Sequence, residues 1–196
     1  MKIILASSSK FRINILKKMN LNPEIKIANI NESAFPQEKP QELALRLAIQ
    51  KAKKIVQKEM PDTLVIAADT VSVCNGKILP KSTNDSLVRW CMKQCSGQIR
   101  KEITAICIIK KQKYNDIILT ELDENYIYLK NFSDSEIDFY VNTKEALNTS
   151  GGFCINGLAE IFVNKINGLP SSISGLSMSK LYKMLNQLGF NFLKKI

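Results

Sequence analysis

Apolar and polar positions mark out the elements in order. Lys2–Ala6 is a short apolar run that predicts a strand, and Ser7-Ser8-Ser9 follows it. Phe11, Ile15, Leu16 and Met19 then recur at helical spacing across residues 10–19. A serine directly ahead of such a run is a helix N-cap signal. Residues 24–28 alternate weakly as a second strand, and 29–40 form a polar loop. Residues 41–58 predict the clearest helix, with Leu43, Leu47, Ala48, Ala52, Ile55 and Val56 in one stripe and Pro61-Asp62 as its stop. Residues 63–68 read as a continuous apolar strand ending at Asp69-Thr70. Residues 71–74 and 77–79 flank Asn75-Gly76, a two-residue hairpin signal.

Residues 84–95 predict an amphipathic helix ended by Ser96-Gly97. Two long, mostly alternating strands at 100–110 and 117–129 are expected to pair antiparallel. Ser133 and Glu136 form a capping box that opens a helix over 133–142. Ser150-Gly151-Gly152 breaks the pattern, 158–166 reads as a strand, and 176–188 as a closing helix. Strands and helices alternate first and a meander follows. The pattern therefore predicts an α/β or α+β fold with a mixed sheet, in one domain over residues 1–196 without repeat or linker.

Composition narrows the chemistry. Among 196 residues there is no histidine, which removes Ser-His-Asp and Cys-His catalysis, His-ligated zinc and imidazole bases. Acid–base work falls to Asp, Glu, Lys, Tyr or Cys. The net charge is +10, carried by 24 lysines and only 4 arginines. The lysines are scattered rather than clustered, so the charge does not point to nucleic acid. The five cysteines, Cys74, Cys91, Cys95, Cys107 and Cys154, lack any Cys-x-x-Cys spacing and read as buried reduced thiols. The N-terminal apolar run is too short for a signal peptide and no run is long enough to span a bilayer, so a cytoplasmic protein without a membrane partner is expected.

Four features could carry chemistry. The Ser7-Ser8-Ser9 turn opens a helix whose first turn holds Arg12; it is either an ordinary cap or an anion site, because free N–H groups and the helix dipole favour phosphate there. Lys51 falls inside the apolar stripe of its helix, so its ammonium either snorkels or reaches an anion in a cleft; with the serine turn, the cleft is favoured. Asp69-Thr70 closes an apolar strand, at the kind of sheet edge where ligands bind, with Lys81 beyond the hairpin and Glu32 in the polar loop. Two carboxylates, a divalent ion, several cations and a helix N-terminus suit phosphoryl transfer. The last feature is the small-residue run from Ser150 to Gly157, which either packs tightly or lets backbone approach a ligand.

These segments resemble the Maf family. The resemblance is carried by Ile4-Leu5-Ala6-Ser7-Ser8-Ser9, Ala67-Ala68-Asp69-Thr70-Val71, Gly76-Lys77-Ile78-Leu79-Pro80-Lys81, Ser96-Gly97, Gly151 through Gly157 and Gly175-Leu176, in order from about residue 3 to 190. It implies a mixed twisted sheet with flanking helices in two lobes around a central cleft, as in ITPase-like folds. It also implies a nucleoside triphosphate pyrophosphatase that uses a divalent cation, Mg²⁺ or Mn²⁺, and often forms a homodimer. Asp69 would be the catalytic carboxylate and, with Glu32, a metal ligand. Ser7, Ser9, Arg12, Lys51, Thr70, Lys81 and Asn156 would contact substrate.

The chain departs from the family pattern at three points. Lys10 and Phe11 stand where Pro and a first Arg are common, Asn156 stands where one branch has Gln, and Ser177 stands where Pro is usual. Base preference, including for modified nucleotides, stays open. The alternative reading is a non-catalytic nucleotide-binding regulator of cell division.

Overall fold

A computed structural model describes residues 1–190. The chain runs β1 (Lys2–Leu5), α1 (Lys10–Lys18), β2 (Glu24–Ile25), α2 (Pro40–Val56), β3 (Thr63–Cys74), β4 (Lys77–Ile78), α3 (Asp85–Cys95), β5 (Ile99–Lys111) and β6 (Ile117–Leu129). It continues with α4 (Asp134–Asn142), a 3₁₀ turn (Leu158–Phe162), β7 (Val163–Asn167), α5 (Pro170–Ile173) and α6 (Met178–Gln187). Among the described residues, seven strands form one mixed sheet in the order β2-β1-β3-β5-β6-β7, with β4 paired to β3. β1 runs parallel to both β2 and β3, in register Ile4↔Glu24 and Ile4↔Val65. β3–β4 and β6–β7 are antiparallel.

Local chemistry sets most of the boundaries. Ser9 caps α1, Asn84 caps α3 through a 2.9 Å bond from Leu87 N–H, and Ser177 caps α6. Ser133 and Glu136 form the reciprocal capping box of α4. Pro40 opens α2, where its missing N–H costs nothing. Asn75 and Gly76 both take positive φ, as the tight β3–β4 hairpin requires.

The described chain divides into two compact units: residues 1–69, 104–123 and 174–190, and residues 70–103 and 124–173. In the first, Leu5, Leu16, Leu64, Ile66, Ile106, Leu181 and Leu185 make a core in which each is fully buried or nearly so. Each such side chain stabilises the fold by about 2 kcal/mol. In the second, Val88, Cys91, Met92, Cys95, Tyr140, Phe153 and Phe162 form the core, with Tyr140 edge-on to Phe162 at 5.6 Å.

The structure corrects four readings of the sequence. The weak strand at 24–28 shortens to Glu24–Ile25. The expected strands 63–68 and 71–74 are one, so Asp69 lies in a strand interior rather than at its end. An acidic side chain is tolerated there because a lysine meets it. Residues 158–166 are not one strand: a 3₁₀ turn occupies 158–162, its first N–H taken by the Glu145 carboxylate at 3.0 Å, and pairing begins at Val163. A short helix at Pro170–Ile173 went unforeseen.

Candidate active site

In the first unit, the backbone places six of the singled-out side chains together. β1 delivers the chain to Ser7, whose Oγ accepts the Ser9 N–H at 3.2 Å and an Arg12 Nη1–H at 3.3 Å. Ser9 Oγ in turn accepts from Arg12 N at 3.5 Å, closing the first turn of α1. Arg12 Nε donates to the Gly175 carbonyl at 3.0 Å, just ahead of α6. The guanidinium is thus oriented by the Ser7 hydroxyl and the Gly175 carbonyl. Burial lowers its pKa from the usual guanidinium value, and the charges of Asp69 and Glu32 oppose that shift.

Lys51 is held by carboxylates of its own chain. It does not merely snorkel: Nζ lies 2.5 Å from Asp69 Oδ1 and 2.7 Å from Glu32 Oε1. Its side chain and that of Asp69 are nearly buried, while Glu32 is half exposed. Burial raises the Asp69 pKa above its ordinary 3.8; Lys51 and Arg12 oppose the rise and Glu32 adds to it. One ammonium therefore joins a strand carboxylate to a loop carboxylate.

The loop bearing Glu32 is itself tied down. Arg46 on α2 grips Glu38 through Nε at 2.6 Å and Nη2 at 2.7 Å, and Nη2 also reaches the Ser33 carbonyl at 2.9 Å. Its guanidinium stacks over Phe35, 4.0 Å from the ring centroid. This clamp was not read from the sequence because Glu38 lies in the loop and Arg46 in α2; the rarity of arginine was the available hint.

In the second unit, Thr70 is half-buried and Lys81 and Asn156 are exposed. The Lys81 backbone bridges to Ser150, so Lys81 is anchored to the start of the small-residue run. That run ends at Asn156-Gly157, where Glu145 takes the Leu158 N–H. The five cysteines are free thiols, as expected. Among the described residues, no helix is long and apolar enough to cross a membrane, and no group of three or more Cys, Asp or Glu side chains could hold a metal by itself.

A model of the family described as Maf-like protein matches residues 2–188. The chain belongs to the Maf family. It is 44% identical over 197 residues to the nucleoside triphosphate pyrophosphatase of Orientia tsutsugamushi (strain Boryong), covering 99% of this chain and 95% of that one. It is 38% identical over 189 residues to the protein of the same name from Rickettsia rickettsii (strain Sheila Smith), covering 96% and 88%. Among solved structures it is similar to the Staphylococcus aureus Ham1 protein at 13% identity and a TM-score of 0.43, over 82% of this chain and 97% of that one. For this Maf protein the family match spans both units, including every candidate residue named above.

Proposed function

We propose that this protein hydrolyses nucleoside triphosphates to the monophosphate and pyrophosphate, with Asp69 as the proton acceptor. Support comes from relatives at 38–44% identity that carry the name nucleoside triphosphate pyrophosphatase. The observation that carries the site is Lys51 held between Asp69 and Glu32 in the unit that also presents Ser7, Ser9 and Arg12 at a helix N-terminus.

The α1 N-terminus, its hydroxyls and Arg12 are donors suited to phosphate oxygens. Lys51 supplies a mobile charge that can pass from the carboxylates to the polyphosphate. Asp69 takes a proton from water as the water oxygen bonds to the α-phosphorus. The bond from that phosphorus to the α,β-bridging oxygen breaks, and pyrophosphate leaves. A carboxylate pushed upward by burial is a better base than a solvated one. Thr70, Lys81 and Asn156 complete the proposed substrate contacts, on the strength of the family resemblance.

A divalent cation fits the donor set. Two carboxylates within hydrogen-bonding distance of one ammonium can meet one ion, and Mg²⁺ or Mn²⁺ commonly takes one or two carboxylates with phosphate and water as its other ligands. Asp69 and Glu32 would hold it. Such an ion neutralises the triphosphate and acidifies water when bound. The test is Asp69→Asn: pyrophosphate release from a panel of nucleoside triphosphates with Mg²⁺ or Mn²⁺ falls at least about a hundredfold while circular dichroism is unchanged. Near-normal release by the variant overturns the role of Asp69. Silence of the parent protein across the panel overturns the activity.

A further inference from the structure

Beneath the small-residue run of the second unit lies a buried ion pair that the mechanism above does not use. Arg100 on β5 is 1% exposed and Glu102, two residues on, is 5% exposed. Arg100 Nε meets Glu102 Oε1 at 2.5 Å. The rest of the guanidinium faces the run: Nη1 donates to the Gly151 carbonyl at 2.6 Å, and Nη2 to the Ser150 carbonyl at 2.8 Å and to Ser72 Oγ at 2.9 Å. The Ser72 hydroxyl donates to Glu102 Oε2 at 2.8 Å, so Ser150 Oγ, 2.9 Å away, donates to Ser72.

This investment is larger than packing needs. Two buried charges cost several kcal/mol of desolvation each, and an apolar pair of similar volume fills such a site at least as well. What an apolar pair cannot do is hold two adjacent backbone carbonyls at once. Gly151 and Gly152 take φ of +64° and +62°, and a Cβ on Gly151 would lie 2.9 Å from both terminal nitrogens of Arg100. The run is thus shaped to the guanidinium.

What the run holds in turn is a set of proposed substrate contacts. Gly151 N–H donates to the Pro80 carbonyl at 3.0 Å, Ser82 N–H to the Thr149 carbonyl at 3.0 Å, and Lys81 bridges to Ser150 between them. Ser150 Oγ also lies 3.4 Å from the Thr70 carbonyl. Downstream, the same run leads to Asn156.

We propose that the Arg100–Glu102 pair is a positioning device: by fixing residues 150–152 it sets the placement of Lys81 and Asn156, and so governs nucleotide binding and discrimination between bases rather than the chemical step. The inference rests on the pyrophosphatase reading. It predicts a split in the kinetic constants that stability alone would not produce, since a loosened binding loop weakens substrate capture without touching Asp69.

The decisive variant is the double substitution R100M/E102M, which removes both charges together and avoids stranding one of them. Its melting temperature should fall modestly, since the Ser150 and Gly151 carbonyls lose their donor, with kcat for pyrophosphate release within about twofold and KM raised about tenfold. The ratio of kcat/KM between purine and pyrimidine triphosphates should shrink toward one. R100K is the milder companion, keeping the charge but unable to span both carbonyls and Ser72; it should raise KM about threefold at unchanged kcat. A double variant with parental KM and base ratios overturns the inference, as does a loss in kcat alone. If the double variant does not fold, R100K decides by the same two readings. A parent protein that releases no pyrophosphate overturns the underlying reading of the site, a result distinct from an active parent beside unaltered variants.

Discussion

Lys51 is the side chain on which the first unit's charge balance turns. Its ammonium opposes the upward push that burial gives the Asp69 carboxyl. Lys51→Met removes that opposition and leaves a largely buried carboxylate without its partner, which costs about 3 kcal/mol of stability in the ligand-free protein. In the proposed role Asp69 acts deprotonated, so activity should be lost as pH falls through its pKa. That pKa lies above 3.8 in the parent, and in Lys51→Met it rises further. The acid limb of kcat/KM should therefore move to higher pH in the variant, a shift read from a pH–rate profile; an unmoved or lowered limb contradicts the assignment. Lys51 was legible because a charge inside an apolar stripe breaks the helix pattern. Arg100 was not: within an alternating strand a lone arginine reads as a solvent-facing position, and only the fold shows that its face is interior.

The segment joining β2 to α2 shows how an irregular element is given fixed shape. Arg46 holds it through Glu38, the Ser33 carbonyl and Phe35. The Arg46 guanidinium draws the Glu38 carboxyl from 4.5 down to about 2. A depressed carboxyl stabilises the native loop above the unfolded pKa and loses that contribution as pH falls through the folded one. Protection of residues 31–38 against hydrogen exchange should therefore decline between pH 4.5 and about 2. Arg46→Lys keeps a charge but loses the paired grip, and should leave these amides fast-exchanging at neutral pH as well. The same variant should reduce pyrophosphate release about tenfold, because Glu32 sits on the loosened segment.

Elements with local signals were readable from the sequence. These are the serine caps of α1 and α4, the Asn-Gly hairpin and the stripe of α2. Elements set by distant partners were misread. Asp69-Thr70 looks like a strand end because nothing nearby in sequence neutralises the acid. Leu158–Phe162 looks like a strand because its apolar run is indifferent to the Glu145 carboxylate that curls it.

For the molecule as a whole, the +10 charge bears on encounter with substrate rather than on fold. A polyanionic triphosphate approaching so basic a surface is favoured at low ionic strength. Raising KCl from about 20 mM to about 300 mM, at fixed free divalent cation, should cut kcat/KM several-fold and leave kcat nearly constant. A salt-independent kcat/KM would show that the scattered lysines contribute no steering. The division into two units was expected from the family resemblance and not from the hydrophobic pattern, since β3, β5 and β6 each cross it without a break.

The lysine seated between two acids also implies an order of events. While Lys51 stays there, the carboxylates already have a counterion, and a dication held by them as proposed would have to compete with the ammonium. A phosphate tail able to lure the ammonium away removes that competition. Nucleotide and metal should accordingly load together, as a preformed chelate, and the idle enzyme should ignore free magnesium.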